Sequence, residues 1–538
     1  MRLSFLFCML AGSLCAFSQA RINKISSVIN HPAINVSAPF VSLDGNSLLF
    51  VSDNSDDDAL TVFFSTKPDG VNWREPAMLP RHVHSRLNFL RGFGLTPDGK
   101  QLYVASMKGG GLGGYDLYSS DLKGAIWAEP QNLGQPANSP ANEACPSFTS
   151  DGLTMYFMRC TKMDMTKAEG CKIMVSKRKN TNERWGAPEE LPASINSGNS
   201  QTPRIMGDGE TLIFSSNMLS PNKGGMDLYE TRLTATGWSA PVPLDFANSP
   251  GDDQYVSGSS LGRYLMKDAP GKSKSEIIEV LFPPEVKPKG LMRVDGTIAG
   301  LPSPGAAYLS VFDKQTQARL FNLRPKADGT FTLYLKEGSI YTLNADPEQA
   351  QYTFTSKEFD LTQSRFNAIE RVTVELKPFA KGDVLTLTNT TFKPYTHDME
   401  AAAQNELKKL ARFINGNPSL NFKVEVSLVG YREDSLKSDP DLTEVATDTV
   451  LIPVSHEFID SVAVDPITKD SSFLVRTESY DSAVVKHRYH NDRTPHMALE
   501  IVNYLIEQGV AASRLTPAHS AQVATLPEKK WLVTVTAR

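Results

Sequence analysis

The feature that most constrains this chain is a short element, Trp-x-x-Pro, that recurs at a nearly constant distance. Its four copies begin 54, 58 and 53 residues apart. A second series, Asp-Gly, runs in phase at steps of 54, 53 and 57 residues, and a copy without the Asp follows 53 residues later. Two elements that share one period predict a repeat architecture such as propeller blades. The copies are Trp73, Trp127, Trp185 and Trp238, and Asp44-Gly45, Asp98-Gly99, Asp151-Gly152, Asp208-Gly209 and Leu261-Gly262.

Each repeat predicts four short strands. Asp-Gly favours a tight hairpin, because Gly tolerates positive φ and Asp can accept a neighbouring backbone N–H. A β-rich run such as Thr154-Met155-Tyr156-Phe157 follows, then a third strand, often after a glycine-rich turn, and Trp-x-x-Pro opens a fourth. Four strands per repeat are typical of a propeller blade. These residues resemble the TolB-like, WD-type propeller repeats of cell-envelope proteins.

The fifth repeat lacks its last strand. After Ser275–Val280 the chain runs into Pro283-Pro284 without a Trp-x-x-Pro element. Residues 21–28, followed by 35–39, read like the missing strand and its linker. A strand supplied from the N-terminus would close the ring and remove an open edge. We therefore predict a five-bladed propeller over residues 21–282.

Composition and the first residues indicate an exported protein. Residues 1–20 have Arg2, then a mostly apolar run and Ser18-Gln19-Ala20, which together resemble a signal peptide. The apolar run is too short to predict a transmembrane anchor, and no later stretch is long enough. A net charge of −5 and a pI near 6.1 give no basic surface for nucleic acid. We expect localisation in the periplasm or at the outer membrane.

Three cysteines remain after the predicted leader. Cys160 ends one strand of the third repeat and Cys171 begins the next, so a disulfide between them would close a short loop. We predict that this bond forms, with a stabilisation of about 2–3 kcal/mol. A metal site is the alternative, but the paired Cys and His ligands of a closed site are absent from the sequence around them. Cys145 is expected to be buried and reduced.

Other candidate sites in the propeller are weak. Residues 258–262 match the nucleophile pattern G-x-S-x-G, but they fall on a hairpin rather than a strand-to-helix turn. His82 and His84 lack a third ligand, and the acidic loop lacks the Gly and final Glu of a calcium loop. We therefore predict no catalytic residue, metal site or cofactor. The tryptophans are expected to pack between blades, or alternatively to form a glycan- or peptide-binding face. The acidic loop contains Asp53, Asp56, Asp57 and Asp58.

Two further domains are predicted after a stiff, Pro-rich linker at residues 283–290. Residues 291–380 alternate short strands and turns, and the Ala327-Asp328-Gly329-Thr330-Phe331 stretch resembles the carboxypeptidase regulatory-like (transthyretin-like) β-sandwich. Residues 381–538 predict an α/β domain. The combination of Glu406-Leu407, Asn417-Pro418, Gly430, Tyr504-Leu505, Gly509-Val510 and Arg514-Leu515 resembles the OmpA-like peptidoglycan-binding domain, with an insertion at about 436–491.

The OmpA-like resemblance implies a site for the peptidoglycan stem peptide, but this chain departs from its motif. The family's Gly-His-Thr-Asp loop corresponds to Gly430-Tyr431-Arg432-Glu433, followed by Asp434. The family's ligand-binding Arg falls on Met497, and a thioether offers neither charge nor a donor fork. Arg493, one turn earlier, is a possible substitute. We predict that residues 382–538 bind peptidoglycan weakly or not at all, through Glu433, Asp434 and Arg493 if they bind it.

Three classes of function remain open at this stage. The preferred hypothesis is a non-enzymatic envelope scaffold of the Bacteroidetes type, as the resemblance implies. Its propeller would bind a protein or glycan, its OmpA-like domain would face the cell wall, and it would belong to an outer-membrane or secretion assembly. The alternatives are a propeller hydrolase that acts on glycans or peptides and a periplasmic ligand sensor. Fold alone does not separate these classes.

Overall fold

The protein is mainly β, with 48% strand and 8% helix, as the sequence predicts. The computed structural model describes residues 21–53, 61–84, 92–124, 126–164, 166–270, 274–316, 318–363, 369–431, 443–490, 492–523 and 530–538, so the predicted leader lies outside it. The helices in this part of the chain are all too short or too polar to span a membrane. The chain divides into two compact units, which are Met1–Asp295 with Thr332–Ile340 and Asp360–Arg371, and Gly296–Phe331 with Tyr341–Phe359 and Val372–Arg538.

Five antiparallel sheets follow one another in the first unit, and each contains one sequence repeat. The first sheet has β2 (Val36–Val41), β3 (Ser47–Ser52), β4 (Thr61–Thr66) and β5 (Ala77–Met78), followed by the single-turn helix α1 (Arg81–His84). The second has β6 (Phe93–Leu95), β7 (Gln101–Ser106), β8 (Asp116–Lys123), β9 (Ile126–Trp127) and β10 (Gln131–Asn132). The third has β11 (Asn142–Phe148), β12 (Thr154–Met163), β13 (Ala168–Lys177) and β14 (Glu189–Glu190). The fourth has β15 (Ser200–Ile205), β16 (Thr211–Ser216), β17 (Asp227–Thr234), β18 (Gly237–Trp238) and β19 (Val242–Pro243), and the fifth has β20 (Tyr264–Pro270), β21 (Ser275–Leu281) and β1 (Ile22–Lys24).

The Asp-Gly pairs form the turns that lead into the second strand of each sheet. In the first four repeats the glycines have φ values of 75°, 68°, 69° and 68°, a conformation that costs least for a residue without a Cβ. The Asp carboxylate accepts a backbone N–H two residues later, as Asp151 Oδ1 does from Leu153 at 2.9 Å. Gly262 keeps a positive φ of 56° although Leu261 has replaced the Asp.

The repeated tryptophans pack between neighbouring sheets. Trp185 is 5% exposed, and its Nε1 donates to the hydroxyl of Tyr103 in the preceding sheet at 3.2 Å. Trp238 contacts Tyr156 of the preceding sheet edge-on, with ring centroids 5.9 Å apart. Tryptophan is well suited to this position, because it buries a large apolar area and has an N–H that needs a partner.

Apolar clusters join each sheet to the next around a ring. The cluster between the first and second sheets contains Leu49 and Trp127. Similar clusters join the second to the third, the third to the fourth and the fourth to the fifth sheet. The cluster that joins the fifth sheet to the first contains Phe50, Met266 and Ile277. Because every sheet packs against two neighbours, the five sheets form a closed β-propeller.

The N-terminal strand belongs to the fifth sheet. β1 pairs antiparallel with β21, with Ile22 opposite Val280 and Lys24 opposite Ile278. The strand order is β1-β21-β20, and an isolated bridge between Ser257 and Met266 lies on the inner side. The outer edge of β21 is therefore covered by a segment from the other end of the propeller sequence.

One asparagine in each of four sheets clamps the third strand with both atoms of its side-chain amide. Asn30 Oδ1 accepts the N–H of Ile277 at 2.9 Å, and its Nδ2 donates to the C=O of the same residue at 2.8 Å. Asn30 thus fastens the segment after β1 to β21. The same double hydrogen bond joins Asn138 to Leu117, Asn196 to Ile173 and Asn248 to Leu228.

The predicted linker, residues 283–290, is held by hydrogen bonds. The N–H of Lys289 donates to Asp208 Oδ2 at 3.0 Å, and that of Gly290 donates to Glu337 Oε2 at 2.8 Å. The following module has two sheets, in the orders β25-β22-β28 and β24-β23-β26-β27. Its strands are β22 (Leu291–Ala299), β23 (Ala307–Asp313), β24 (Arg319–Leu323), β25 (Thr330–Lys336), β26 (Ile340–Pro347), β27 (Thr355–Asp360) and β28 (Ile369–Glu375).

The C-terminal region is α/β, with two helices and a mixed sheet of order β29-β34-β30-β33. β30 runs parallel to β33 and antiparallel to β34. Leu407, Leu410, Phe413 and Ile414, whose spacing predicts a helix, are at most 2% exposed. The elements are β29 (Val384–Leu387), α2 (Ala401–Gly416), β30 (Phe422–Tyr431), α3 (Thr494–Glu507), a 3₁₀ turn (Ala512–Arg514), β33 (Leu515–Val523) and β34 (Lys530–Ala537).

Most of the predicted insertion forms a long two-stranded antiparallel hairpin, which we call the ribbon. It consists of β31 (Glu444–Val464) and β32 (Ser471–His490), and residues 432–442 before it lie outside the described part of the chain. Strands of 21 and 20 residues are unusual, because strands in globular proteins are mostly 3–10 residues long.

Candidate functional site

The innermost segment of each sheet contains one residue in the left-handed conformation, either in the inner strand or just before the first inner pairing. Ala38, Gly92, Cys145, Thr202 and Tyr255 have φ values of 50°, 79°, 54°, 48° and 52°. In three of the sheets a shift in strand register marks a β-bulge at this residue. Left-handed residues other than Gly are uncommon, and bulges and strained residues concentrate near functional sites. The propeller centre, which these strands line, is therefore the first candidate site.

Serine side chains fasten the bulges to the next sheet. Ser147 Oγ accepts the N–H of Ile205 at 3.0 Å, and Ser257 Oγ accepts the N–H of Val41 at 2.9 Å. The second of these bonds joins the fifth sheet to the first. Two of the five junctions between neighbouring sheets are thus held near the propeller centre by a serine hydrogen bond.

The side chains of Arg204 and Tyr255 contact residues of neighbouring sheets near the centre. Arg204 Nε donates to the C=O of Val256 at 3.0 Å, and the guanidinium lies 4.5 Å from the centroid of the Phe40 ring. Burial lowers the pKa of Arg204 to about 10. Tyr255 packs against clusters that belong to the first three sheets. Arg204 therefore contributes a cationic donor near the centre, and Tyr255 contributes an aromatic ring.

The acidic residues near the centre are largely committed to ion pairs. Glu143 is fully buried and accepts a hydrogen bond from Arg159 Nε at 2.7 Å, and burial raises its pKa. Asp253 is 2% exposed and is paired with Lys267. Asp268 differs, because burial raises its pKa to about 6. Hydrolysis of a glycosidic bond usually needs two carboxyl groups that face the substrate. Of these three, Glu143 and Asp253 are in ion pairs, and Asp268 has no ion pair with another described residue.

The nucleophile-like pattern at residues 258–262 forms no nucleophile elbow. Ser260 is 4% exposed; its N–H donates to the C=O of Leu43, and its C=O accepts from the N–H of Leu291, both at 2.7 Å. This segment connects strands and leads into no helix. Its serine is enclosed by backbone hydrogen bonds and does not face a cleft.

The other motifs weighed from the sequence have ordinary structural partners. His82 Nε2 lies 2.8 Å from the carbonyl oxygen of Trp127, so this nitrogen is already engaged. Asp53 accepts hydrogen bonds from the N–H and Nδ2 of Asn35 at 2.8 and 2.6 Å. The remaining acidic residues of that loop, Asp56, Asp57 and Asp58, lie outside the described residues.

Cys160 and Cys171 are joined by a disulfide with an S–S distance of 2.08 Å. They lie directly opposite each other on β12 and β13. Cys145 is buried outside this bond, in the same apolar cluster. A Cβ on Gly92 would lie 2.9 Å from its Sγ, which explains why the left-handed position of the second sheet is glycine.

A surface cavity of about 510 Å³ lies on the second sheet, where Lys108 and Glu129 form an ion pair. Glu129 belongs to a Trp-x-x-Pro element, so this repeat element contributes both to packing and to the surface. The cavity is lined by Lys108, Gly109, Tyr118, Glu129, Pro130, Gln131 and Asn132.

The residues predicted for wall binding are not assembled into a site in the described structure. Glu433 and Asp434 lie outside the described residues. Arg493 is buried, and its Nη1 donates to the C=O groups of Lys393, at 2.5 Å, and Thr396. Met497 is fully buried in the core of the C-terminal domain. The suggestion that Arg493 replaces the family's Arg has no support in this geometry, because its guanidinium holds backbone carbonyls.

Comparison with known proteins gives weak structural likenesses. No family model and no curated protein sequence matches the chain. Among solved structures, TolB from Acinetobacter baumannii is 15% identical, with a TM-score of 0.27, over 56% of this chain and 66% of its own. An endo-arabinase from Bacteroides thetaiotaomicron is 16% identical, with a TM-score of 0.34, over 47% and 97%. The Bacillus subtilis arabinanase Arb43A is 14% identical, with a TM-score of 0.31, over 46% and 94%. We transfer no residue role from these proteins.

Proposed function

We propose that this protein is a non-enzymatic scaffold of the cell envelope that docks another protein through its ribbon. The observation that carries the proposal is the exposure of apolar side chains along both strands. Twenty residues at about 3.3 Å each give a ribbon roughly 66 Å long. An isolated two-stranded hairpin is only marginally stable in water, so such a surface favours a bound partner. The side chains are 37–89% exposed and comprise Val450, Leu451, Ile452, Phe458, Ile459, Val462, Val464, Ile467, Leu474, Val475, Tyr480, Val484 and Val485.

The two edges of the ribbon are not equivalent. β31 contains Pro453, which has no N–H, and a bulge between Ile459 and Ser461. Both features discourage the addition of a further strand. β32 has no proline, glycine or bulge, and its outer edge has no strand partner among the described residues. We infer that the partner adds an extended strand to β32, where main-chain hydrogen bonds give affinity and alternate side chains give specificity.

Charge favours a different protein over a second copy of this chain. Residues 444–490 contain eight Asp and Glu but four Lys and Arg. Two copies of the ribbon would therefore repel each other, whereas a basic strand would be attracted and a neutral strand would not be repelled. The acidic residues are Glu444, Asp448, Glu457, Asp460, Asp465, Asp470, Glu478 and Asp481.

The envelope location rests on the predicted leader and on the Cys160–Cys171 disulfide, because disulfides persist in oxidising compartments. One specific observation supports the hydrolase alternative. The pKa of Asp268 is raised, and such values occur at catalytic sites. Weak or absent peptidoglycan binding by residues 382–538 stays part of the proposal.

Photo-crosslinking in the native host tests the scaffold proposal. A photoreactive amino acid replaces Val475 or Val485 on β32, and Val71, which is 74% exposed on the first sheet, provides the matched control. We expect a discrete adduct with another envelope protein from both ribbon positions and none from Val71. Adducts of the chain with itself, together with a dimer in light scattering, would show that the partner is a second copy of this chain and not a different protein. Release of sugars from arabinan or envelope glycans, abolished by Asp268→Asn, would favour the hydrolase.

A further inference from the structure

Three side chains converge where the ribbon leaves the C-terminal domain. His397 precedes α2, Glu444 is the first residue of β31, and His496 lies in the first turn of α3. The His397 Nδ1 to Glu444 Oε1 distance is 2.7 Å, and the His496 Nδ1 to Glu444 Oε2 distance is 2.5 Å. One ligand atom from each residue lies within 4.8 Å of the others.

These are the ligands of a known type of metal site. Imidazole nitrogen and carboxylate oxygen suit Zn²⁺, and two His with one Glu are the protein ligands of open tetrahedral zinc sites that also bind water. Metal–ligand distances of about 2.0–2.2 Å place neighbouring ligand atoms about 3.3 Å apart. Small rotations of the two imidazoles would therefore admit the ion. The side chains of His397 and His496 are 44% and 53% exposed, so both imidazoles are partly accessible in the described part of the chain.

The backbone around the cluster is well fixed. The N–H of Val445 donates to the C=O of Tyr395 at 2.9 Å, which ties β31 to the His397 segment. Arg493 holds the same segment through the C=O groups of Lys393 and Thr396. Thr494 donates through its N–H and Oγ1 to Asp492 Oδ1 at the start of the helix that carries His496. Such support keeps ligands in place before a metal binds.

We propose that His397, Glu444 and His496 bind one zinc-class divalent cation, with water as a further ligand. The ion would tie the base of the ribbon to α3 and to the segment before α2, and would hold the ribbon in one direction. The simpler account of the same geometry is a hydrogen-bonded cluster in which Glu444 accepts from two imidazole N–H groups. That account predicts no metal affinity. The inference is independent of the partner proposed for the ribbon.

Titration of the full mature chain, treated with chelator, with Co²⁺ and then Zn²⁺ tests the site. We expect one Co²⁺ per chain with the visible absorption of a four-coordinate ion, and displacement of that ion by Zn²⁺. His397→Ala, His496→Ala and Glu444→Gln are each expected to lower affinity at least about tenfold, since loss of outer-shell support alone costs 10–100-fold. His456→Ala and Glu457→Gln, on the ribbon away from the cluster, provide the matched controls. Their affinity is expected to equal that of the wild type.

Two results would overturn the inference. The first is the absence of saturable Zn²⁺ binding by the folded wild-type chain. The second is binding that survives in the His397→Ala/His496→Ala double variant. If a variant fails to fold, X-ray absorption of the Co²⁺-loaded wild type decides, because two imidazole nitrogens must appear in the first coordination sphere. Hydrogen exchange gives a third readout: Zn²⁺ is expected to slow exchange at residues 443–446 and to leave the propeller unchanged.

Discussion

Asp268 is a residue whose ionisation is expected to affect stability. Burial raises its pKa from 3.8 to about 6, so the folded state binds more protons than the unfolded state between these values. The contribution of this group to stability therefore falls as pH rises from about 4 to about 6. Asp268→Asn removes the ionisable carboxyl and therefore removes this loss of stability at higher pH. We expect the variant to be more stable at pH 7.5, by up to about 3 kcal/mol.

Urea unfolding at pH 4.5 and pH 7.5 measures this effect. Glu189→Gln, an exposed residue at the edge of the third sheet, is the matched control and is expected to change little at either pH. Equal stability of Asp268→Asn and wild type at pH 7.5 would show that the carboxyl is solvated better than its burial indicates.

Met497 gives the second prediction at this scale. From the sequence, an Arg here would raise wall binding only if Glu433 lined the same cleft. The Met497 side chain is fully buried in the core of the C-terminal domain. Met497→Arg is expected to destabilise that domain by about 3–5 kcal/mol, because it buries an unpaired charge. Met497→Leu, which preserves volume and polarity, is expected to cost less than about 1.5 kcal/mol. Thermal unfolding followed by circular dichroism compares them, and a stable Arg variant would place residue 497 at the surface.

Among single elements, the asparagine clamp can be tested directly by substitution. Asn30→Ala removes two hydrogen bonds, and Asn138→Ala removes the same two and a third from Nδ2 to Asn132 Oδ1. Both variants leave backbone groups of a third strand without these partners. We expect each to lower the free energy of unfolding by about 2–4 kcal/mol. Asn180→Ala, in an exposed turn, is the control and is expected to cost less than either. A cost for Asn138→Ala without one for Asn30→Ala would show that the ring closes without this clamp.

The disulfide between β12 and β13 is a second element with a measurable contribution. Reduction, or replacement of Cys160 and Cys171 by serine, is expected to cost about 2–3 kcal/mol. Peptide mapping under non-reducing conditions is expected to recover the Cys160–Cys171 pair. Cys145 is expected to react with alkylating reagents only after unfolding, because it is buried. A bridge that contains Cys145 would contradict the prediction.

The sequence predicts the regular parts of the propeller better than its exceptional parts. Asp-Gly hairpins and Trp-x-x-Pro strands are local signals, so their period alone gives the number of sheets. The left-handed residues near the propeller centre also have a sequence signal. Pro39, Pro146 and Pro203 directly follow three of them. That series alone does not predict left-handed residues, because Pro usually disfavours such a conformation in the residue before it. Asn138, Asn196 and Asn248 are each followed by Ser. Asn30 makes the same double hydrogen bond but is followed by His, so it does not share their sequence pattern.

The C-terminal site could not be predicted in the same way. His397, Glu444 and His496 are 47 and 52 residues apart in the sequence, and only the folded domain brings them together. The ribbon has the β-branched composition of a strand, but a hairpin of this length is too rare to expect from composition. Burial of Met497 and Arg493 depends on how α3 packs, which helical spacing alone does not specify.

For the propeller as a whole, the consequence of ring closure is that its stability depends on both ends of the repeat sequence. Deletion of residues 21–30 removes β1 and the Asn30 clamp and leaves the edge of β21 exposed. We expect the deleted protein to form oligomers or aggregates, since an unprotected edge strand is a template for further pairing. Size-exclusion chromatography with light scattering measures this outcome. A stable monomer would mean that β1 is dispensable for closing the ring.

Closure by β1 also imposes an order on biosynthesis. β1 leaves the ribosome roughly 250 residues before the strand that it pairs with, which at 5–20 residues per second is a delay of about 10–50 s. During that interval β1 has no partner strand, because β21 has not yet been made, and the edges of the earlier repeats are open to wrong partners. If the chain crosses a membrane before it folds, the same delay keeps the propeller incomplete and the chain able to be translocated. Formation of the last blade is then the step that completes the propeller.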